Sequence, residues 1–183
     1  PVQVMIRPHS YHYHYSEQEW KVIKQDIQTV IDLGGKGIVI GALSKEDKPD
    51  ERFLDRLFLT FPQLDVTFHR AFDETANPID AYHMLSRYPI QRILTSGGAE
   101  NCEKGKQTLK ELELLSRTMK GPTILPGAGL SLENIPSIHN VVQAKEYHFG
   151  KAVRKHGSFA EGFDESIMGN LLKWKNEQFD KRE

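Results

Sequence analysis

Apolar positions recur along the chain with two periods. Val2, Val4 and Ile6 alternate with Gln3, Met5 and Arg7, the two-residue period of a strand. After a His- and Tyr-rich stretch (9–15), Trp20, Ile23, Ile27, Val30 and Ile31 recur at helical spacing. Ser16 and Glu19 have the capping-box spacing ahead of them, and Gly34-Gly35 ends that helix. Residues 37–41 then read as a short buried strand. Asp50 caps a helix through Phe61 that carries Phe53, Leu54, Leu57 and Phe58. A strand follows over 64–70, and Asn77-Pro78 opens a helix with proline at its first position. Residues 91–95 are a strand and 103–119 a helix with Leu109, Leu112 and Leu115 on one stripe. Residues 123–125 run into a Pro-Gly-Ala-Gly turn, and Ser131 caps a short helix. The sixth strand is 146–149, and a helix over 164–179 closes the pattern after a Gly-containing loop (151–163).

Six strands separated by helices predict βα units in a parallel sheet. No linker-like composition divides them, so 1–183 reads as a single domain. The strands end on Met-Ile-Arg-Pro (5–8), Phe-His-Arg-Ala-Phe-Asp (68–73), Thr-Ser-Gly-Gly (95–98), Pro-Gly-Ala-Gly (126–129) and Tyr-His-Phe-Gly (147–150). Chemistry gathered at strand ends is how a βα-barrel builds a site. Alternation directs Arg7, His69, Glu146 and His148 toward the barrel axis, mostly near its mouth.

Composition narrows the function classes. The 183 residues carry a net charge of -1, so no overall charge draws the chain to nucleic acid or an anionic membrane. The longest apolar runs are too short to span a bilayer, and no secretory signal is visible. The single cysteine, Cys102, precludes an intrachain disulfide and agrees with a reducing, cytoplasmic setting.

The ordered set Met-Ile-Arg-Pro, Phe-His-Arg-Ala-Phe-Asp, Thr-Ser-Gly-Gly and Pro-Gly-Ala-Gly resembles the CutC family, named for a proposed role in copper homeostasis. The resemblance covers nearly the whole chain to about Phe163. It implies a TIM (β/α)8-type barrel in which the six strands correspond to strands 3 to 8. The first two βα units, which usually include cysteine-bearing strand ends, would be absent. The natural protein is then expected to be longer by roughly 60–70 residues, two units of a ~250-residue barrel; a short form closing by swapping or dimerising is the alternative. Relatives continue after Met-Ile-Arg-Pro with Arg-Gly-Gly and an acid. Here the stretch is His9-Ser10-Tyr11-His12-Tyr13-His14, which puts the role of that loop in doubt.

Arg7, His69, Arg70 and Asp73 form the best small-molecule constellation. An inward Arg offers a forked donor to carboxylate or phosphate, His69 an acid or base near neutrality, and Asp73 a partner that orients either. An equally weighted reading is a structural network locking the loops. Ser96, Gly97, Gly98, Gly127 and Gly129 suit close backbone approach to an anion, or else plain tight turns. His12 and His14, with His9 beside them, suit imidazole ligation of Cu, Zn or Ni; the bland reading is a solvated loop. His148 facing His69 across the mouth would make a metal or catalytic pair. Cys102 is the only thiol for Cu(I), which prefers sulfur. His83, His139 and His156 read as surface residues, and the tail from Lys173 to Arg182 as a solvated helix.

The leading expectation is a CutC-like barrel tied to copper homeostasis or copper binding, with a small-anion or metal site at its mouth and a possible homo-oligomeric state. A barrel enzyme, isomerase or lyase, acting on a small phosphorylated or carboxylated metabolite is the alternative. A non-catalytic scaffold that dimerises through its barrel face is a third reading.

Overall fold

The computed structural model describes residues 2–179; Arg182, at the end of the predicted tail helix, lies outside them. Five strands form one parallel sheet in chain order: β1 (Gln3–Met5), β2 (Gly37–Ile40), β3 (Asp65–Phe68), β4 (Ile90–Thr95) and β5 (Thr123–Pro126). Between them run α1 (Glu17–Asp32), α2 (Glu51–Thr60), α3 (Pro78–Leu85) and α4 (Lys106–Met119); α5 (Ile135–Val142) and α6 (Glu165–Phe179) follow.

The local signals explain most of these elements. Ser16 and Glu19 form the full capping box at the start of α1, and Asp50 accepts from the Phe53 amide at the start of α2. Asn77 accepts from the amides of Ile79 and Asp80, with Pro78 beginning α3. The helices lay their apolar stripes on one sheet face. Ile23, Ile27, Ile38, Ile40, Leu54, Leu57, Val66 and Phe68 are all fully buried, each such side chain contributing about 1.5–3 kcal/mol of transfer free energy. On β3 the other face is buried too, at Thr67 and His69, as in parallel sheets covered on both sides.

Three elements differ from expectation. The sixth strand is a single parallel bridge, Gly127 to His148, because 146–149 meets only the end of β5. α4 starts at Lys106 rather than Glu103: Asn101 captures the amides of Lys104 and Gly105, and Cys102 donates to the Ala128 carbonyl at 3.1 Å. α5 starts at Ile135 rather than at a Ser131 cap, since the Asn134 side chain takes the Ser131 amide at 2.9 Å.

Alternation holds along β3, and the bulge at Val66/Thr67 that shifts its register with β4 is filled locally. Gln91 Oε1 accepts the Val66 amide there at 2.7 Å, so the extra residue leaves no orphaned donor. Glu146 corrects the expectation of a mouth position. It pairs at 3.0 Å with Arg92, which pairs at 2.6 Å with Asp65 at the start of β3, the end opposite the mouth. His139 is likewise no surface residue. It is buried on α5, with Nδ1 2.8 Å from the Tyr147 hydroxyl and its ring edge-on to Trp174. No helix among the described residues is long and apolar enough to cross a membrane.

Candidate functional site

The mouth is organised around the Asp73 carboxylate. A one-turn 3-10 segment, Arg70–Glu74, follows β3 and carries Asp73 under the loop after β4. Its side chain is only 5 % exposed and pairs with Arg70 Nε at 2.7 Å. Thr95 Oγ1 donates to it at 2.5 Å, and the amides of Ser96 and Gly98 donate at 3.0 and 3.1 Å. Ser96 Oγ lies 3.0 Å from Asp73 and 2.5 Å from the Ala99 carbonyl, and donates to one at a time. The Gly97 amide goes to Thr95 Oγ1 at 2.9 Å.

The Ser96-Gly97-Gly98 loop therefore does bind an anion, and that anion is the protein's own carboxylate. Gly97 and Gly98 hold positive φ of 81 and 68, which turns successive amides inward at little steric cost. Arg70 completes the arrangement with Nη2 3.2 Å from Ser96 Oγ. The locking network among Arg70, Asp73 and Ser96 is the geometry present.

Arg7 and His69 are different. His69 is 3 % exposed. Its Nδ1 accepts the Ala71 amide at 3.2 Å, which places the ring proton on Nε2. Burial, with the Arg7 charge adding to it, pushes its pKa down to about 4, so the ring is neutral near pH 7. Nε2 is buried without a hydrogen-bond partner, and so is Arg7 Nε. Tyr13 touches both residues: the Arg7 guanidinium sits 4.5 Å from its ring centre and the His69 ring 5.1 Å. Five of the six buried side-chain polar atoms without a partner among the described residues belong to Arg7, His9, Tyr15 and His69. Native interiors leave few such groups unpaired.

The His/Tyr loop covers this place. The Leu43 amide donates to the Tyr13 carbonyl at 2.8 Å, and His14 Nδ1 lies 2.9 Å from the Leu43 carbonyl. His9 stacks on Tyr11 at 4.0 Å. Its Nε2 is 2.9 Å from Glu19, close enough for a charge contact but outside hydrogen-bond angles.

The metal candidates do not converge. The His12 and His14 rings are 5.5 Å apart, while His12 Nδ1 accepts the His14 amide at 3.3 Å. His148 sits beside Gly127, at the other end of the strand order. No group of three or more His, Cys, Asp or Glu side chains among the described residues is arranged to hold a metal ion. Cys102 is fully buried, and burial, then the Asp73 charge, pushes its thiol up to about 12. With Cys102 enclosed and no such ligand group assembled, the described residues do not fit resident copper.

Gly127 and Gly129 shape the loop after β5. A Cβ at Gly127 would meet Leu94 at 2.6 Å and His148 at 3.0 Å, and Gly129 has φ 68. Between them Ala128 holds φ 120, a conformation that costs about 1–3 kcal/mol for a residue with a Cβ. Thr95, which opens the Thr-Ser-Gly-Gly motif but was given no role by it, and Tyr13 complete the mouth. Tyr13 was hidden by its surroundings, being one aromatic among several in the loop.

Parallel strands alternating with helices, and polar residues gathered at the strands' carboxyl ends, define a TIM-barrel-type α/β protein with its candidate site at the mouth. The CutC family model matches residues 1–153. The chain belongs to the CutC family. A CutC family protein of Edwardsiella ictaluri is 43% identical over 135 residues, 74% of this chain and 53% of that one. One from Photorhabdus laumondii is 38% identical over the same length, again 53% of the relative. The chain thus spans about half the length of the curated relatives it matches.

Among solved structures, a candidate copper homeostasis protein CutC from Streptococcus agalactiae superposes with a TM-score of 0.73 at 24% identity, covering 79% of this chain and 70% of that one. A phosphoribosylanthranilate isomerase from Pyrococcus furiosus gives 0.53 at 17% identity, covering 90% and 71%. At these identities the likeness is one of fold.

Proposed function

We propose that this chain serves copper homeostasis as part of a CutC-family barrel, and that its own contribution is a small-anion site at the mouth, between Arg7 and His69. Family membership and the description of the S. agalactiae protein support the first part. One observation carries the second: Arg7 Nε and His69 Nε2 are buried N–H donors without partners, both against Tyr13. Each such group costs about 1–3 kcal/mol while unpaired. A carboxylate or phosphate supplies acceptor oxygens for such donors, and the guanidinium supplies the charge. Neutral His69 acts as a donor, not as a cation. Arg70, Asp73, Ser96, Gly97 and Gly98 then serve as the floor that fixes β3 and β4 beneath the donors. The Gly127–Gly129 turn borders the same rim. The Tyr13 loop has to swing aside for entry, breaking its contacts with Leu43.

The test is thermal unfolding with inorganic phosphate and with acetate. The melting temperature should rise with concentration, by the equivalent of about 2.7 kcal/mol at a hundredfold excess over Kd. Arg7→Ala and His69→Leu should each abolish the rise. A folded wild-type chain that no anion stabilises would sink the proposal.

A further inference from the structure

At the mouth lies an open cavity of about 320 Å³, lined by Arg7, His12, Tyr13, His14, Asp47 and Glu74 among others. Its lining carries both signs of charge. No ion pair within 4.0 Å joins Arg7 to either carboxylate among the described residues, and neither Asp47 nor Glu74 pairs with any other cation there. The two acids come from different loops. Asp47 sits in the turn closed by its own amide onto the Ser44 carbonyl at 3.1 Å, with φ 52, a left-handed position that Asp tolerates better than most residues. Glu74 ends the 3-10 turn after β3.

This pattern selects against simple ions. A lone anion drawn to Arg7 would face two carboxylates, and a lone cation drawn to the acids would face the guanidinium. A molecule with a carboxylate at one end and an ammonium at the other answers both signs of charge in the lining. Tyr13, in the same lining, offers an apolar ring to the connecting chain.

We infer that the mouth cavity binds a small zwitterion of the amino-acid class, its carboxylate on Arg7 and its ammonium toward Asp47 and Glu74. The inference rests on the reading of Arg7 as the anion donor and names the ligand that this donor would serve. Asp47, Glu74 and the loop residues 10–14 then set specificity, while Arg7 supplies the anchor.

The experiment is thermal unfolding and calorimetric titration of the 183-residue chain with glycine, β-alanine, 4-aminobutyrate and 6-aminohexanoate. This series varies the distance between the two charges. Butyrate, butylamine and inorganic phosphate are the single-charge controls. One member of the series should bind at least tenfold tighter than butyrate or butylamine. Glu74→Gln with Asp47→Asn should abolish that preference; both residues are exposed, so the variant is expected to fold. Arg7→Lys, which keeps the charge without the fork, should weaken every anion. If butyrate or phosphate binds as tightly as the best zwitterion, and the acid variant changes nothing, the zwitterion inference fails while the anion site stands. If butylamine alone binds as tightly, the inference fails as well. If no probe shifts the folded wild-type chain, both readings fail.

Discussion

Asp73 shows how a single side chain can decide whether a loop is a site or a scaffold. Its carboxylate takes Arg70 and the amides of Ser96 and Gly98, donors that the sequence alone would assign to a ligand. Asp73→Ala leaves the inward amides of Ser96 and Gly98 unpaired and should cost about 1–3 kcal/mol for each donor left unsatisfied, measured by urea unfolding. His69 carries the clearest pH signature. Folded, it stays neutral down to about pH 4, while its ordinary value is 6.5. Unfolding therefore takes up a proton between those values, and stability falls as pH drops through that window. The loss should approach about 3 kcal/mol at pH 4, and His69→Phe should remove that part of the slope in unfolding free energy measured from pH 7 to 4. Cys102, buried with its thiol pushed up to about 12, should resist alkylation at pH 8 in the native chain. Its labelling rate should follow global unfolding in added urea.

The helices were legible because their caps and apolar stripes are local. Ser16 with Glu19, Asp50, and Asn77 with Pro78 each act within four residues. α5 carries the same local signal. Ile135, Ile138, His139 and Val142 share one buried stripe at helical spacing, so the period itself put His139 in the core. The start of α4 was not local. Asn101, Cys102 and Ala128 set it across two loops, and Gly97 must pass beside Gly105. A Cβ on Gly97 would stand 2.5 Å from the Gly105 carbonyl at a φ of 81. Gly97→Ala should therefore destabilise by at least about 2 kcal/mol, seen as a lower melting temperature with loss of the ordered β4–α4 connection.

At the scale of the molecule, the sheet ends on β1, a three-residue strand with Met5 53 % exposed and Val2 77 % exposed beside it. Among the described residues β1 pairs only with β2, and a parallel edge with apolar flanks is a template for another strand. The 183-residue chain by itself should self-associate through β1, and Met5→Lys should shift it toward monomer in sedimentation experiments. A chain that is wholly monomeric at high concentration would show that this edge is already protected.

The order of strands and helices, the parallel sheet and the family's strand-end motifs were set by the sequence, because alternation, helical period and capping depend on neighbours a few residues apart. Strand parity also directed Arg7 and His69 toward the mouth, but it misplaced Glu146, and it does not reach Arg70 and Asp73, which follow β3 in a 3-10 turn. The tertiary structure alone decided what those groups do there. It spent the amides of Ser96 and Gly98 on Asp73, left Arg7 Nε and His69 Nε2 without partners against Tyr13, and brought Asp47 and Glu74 into one cavity lining with Arg7. Partner choice among buried donors depends on distances between segments tens of residues apart, and no local pattern records those distances.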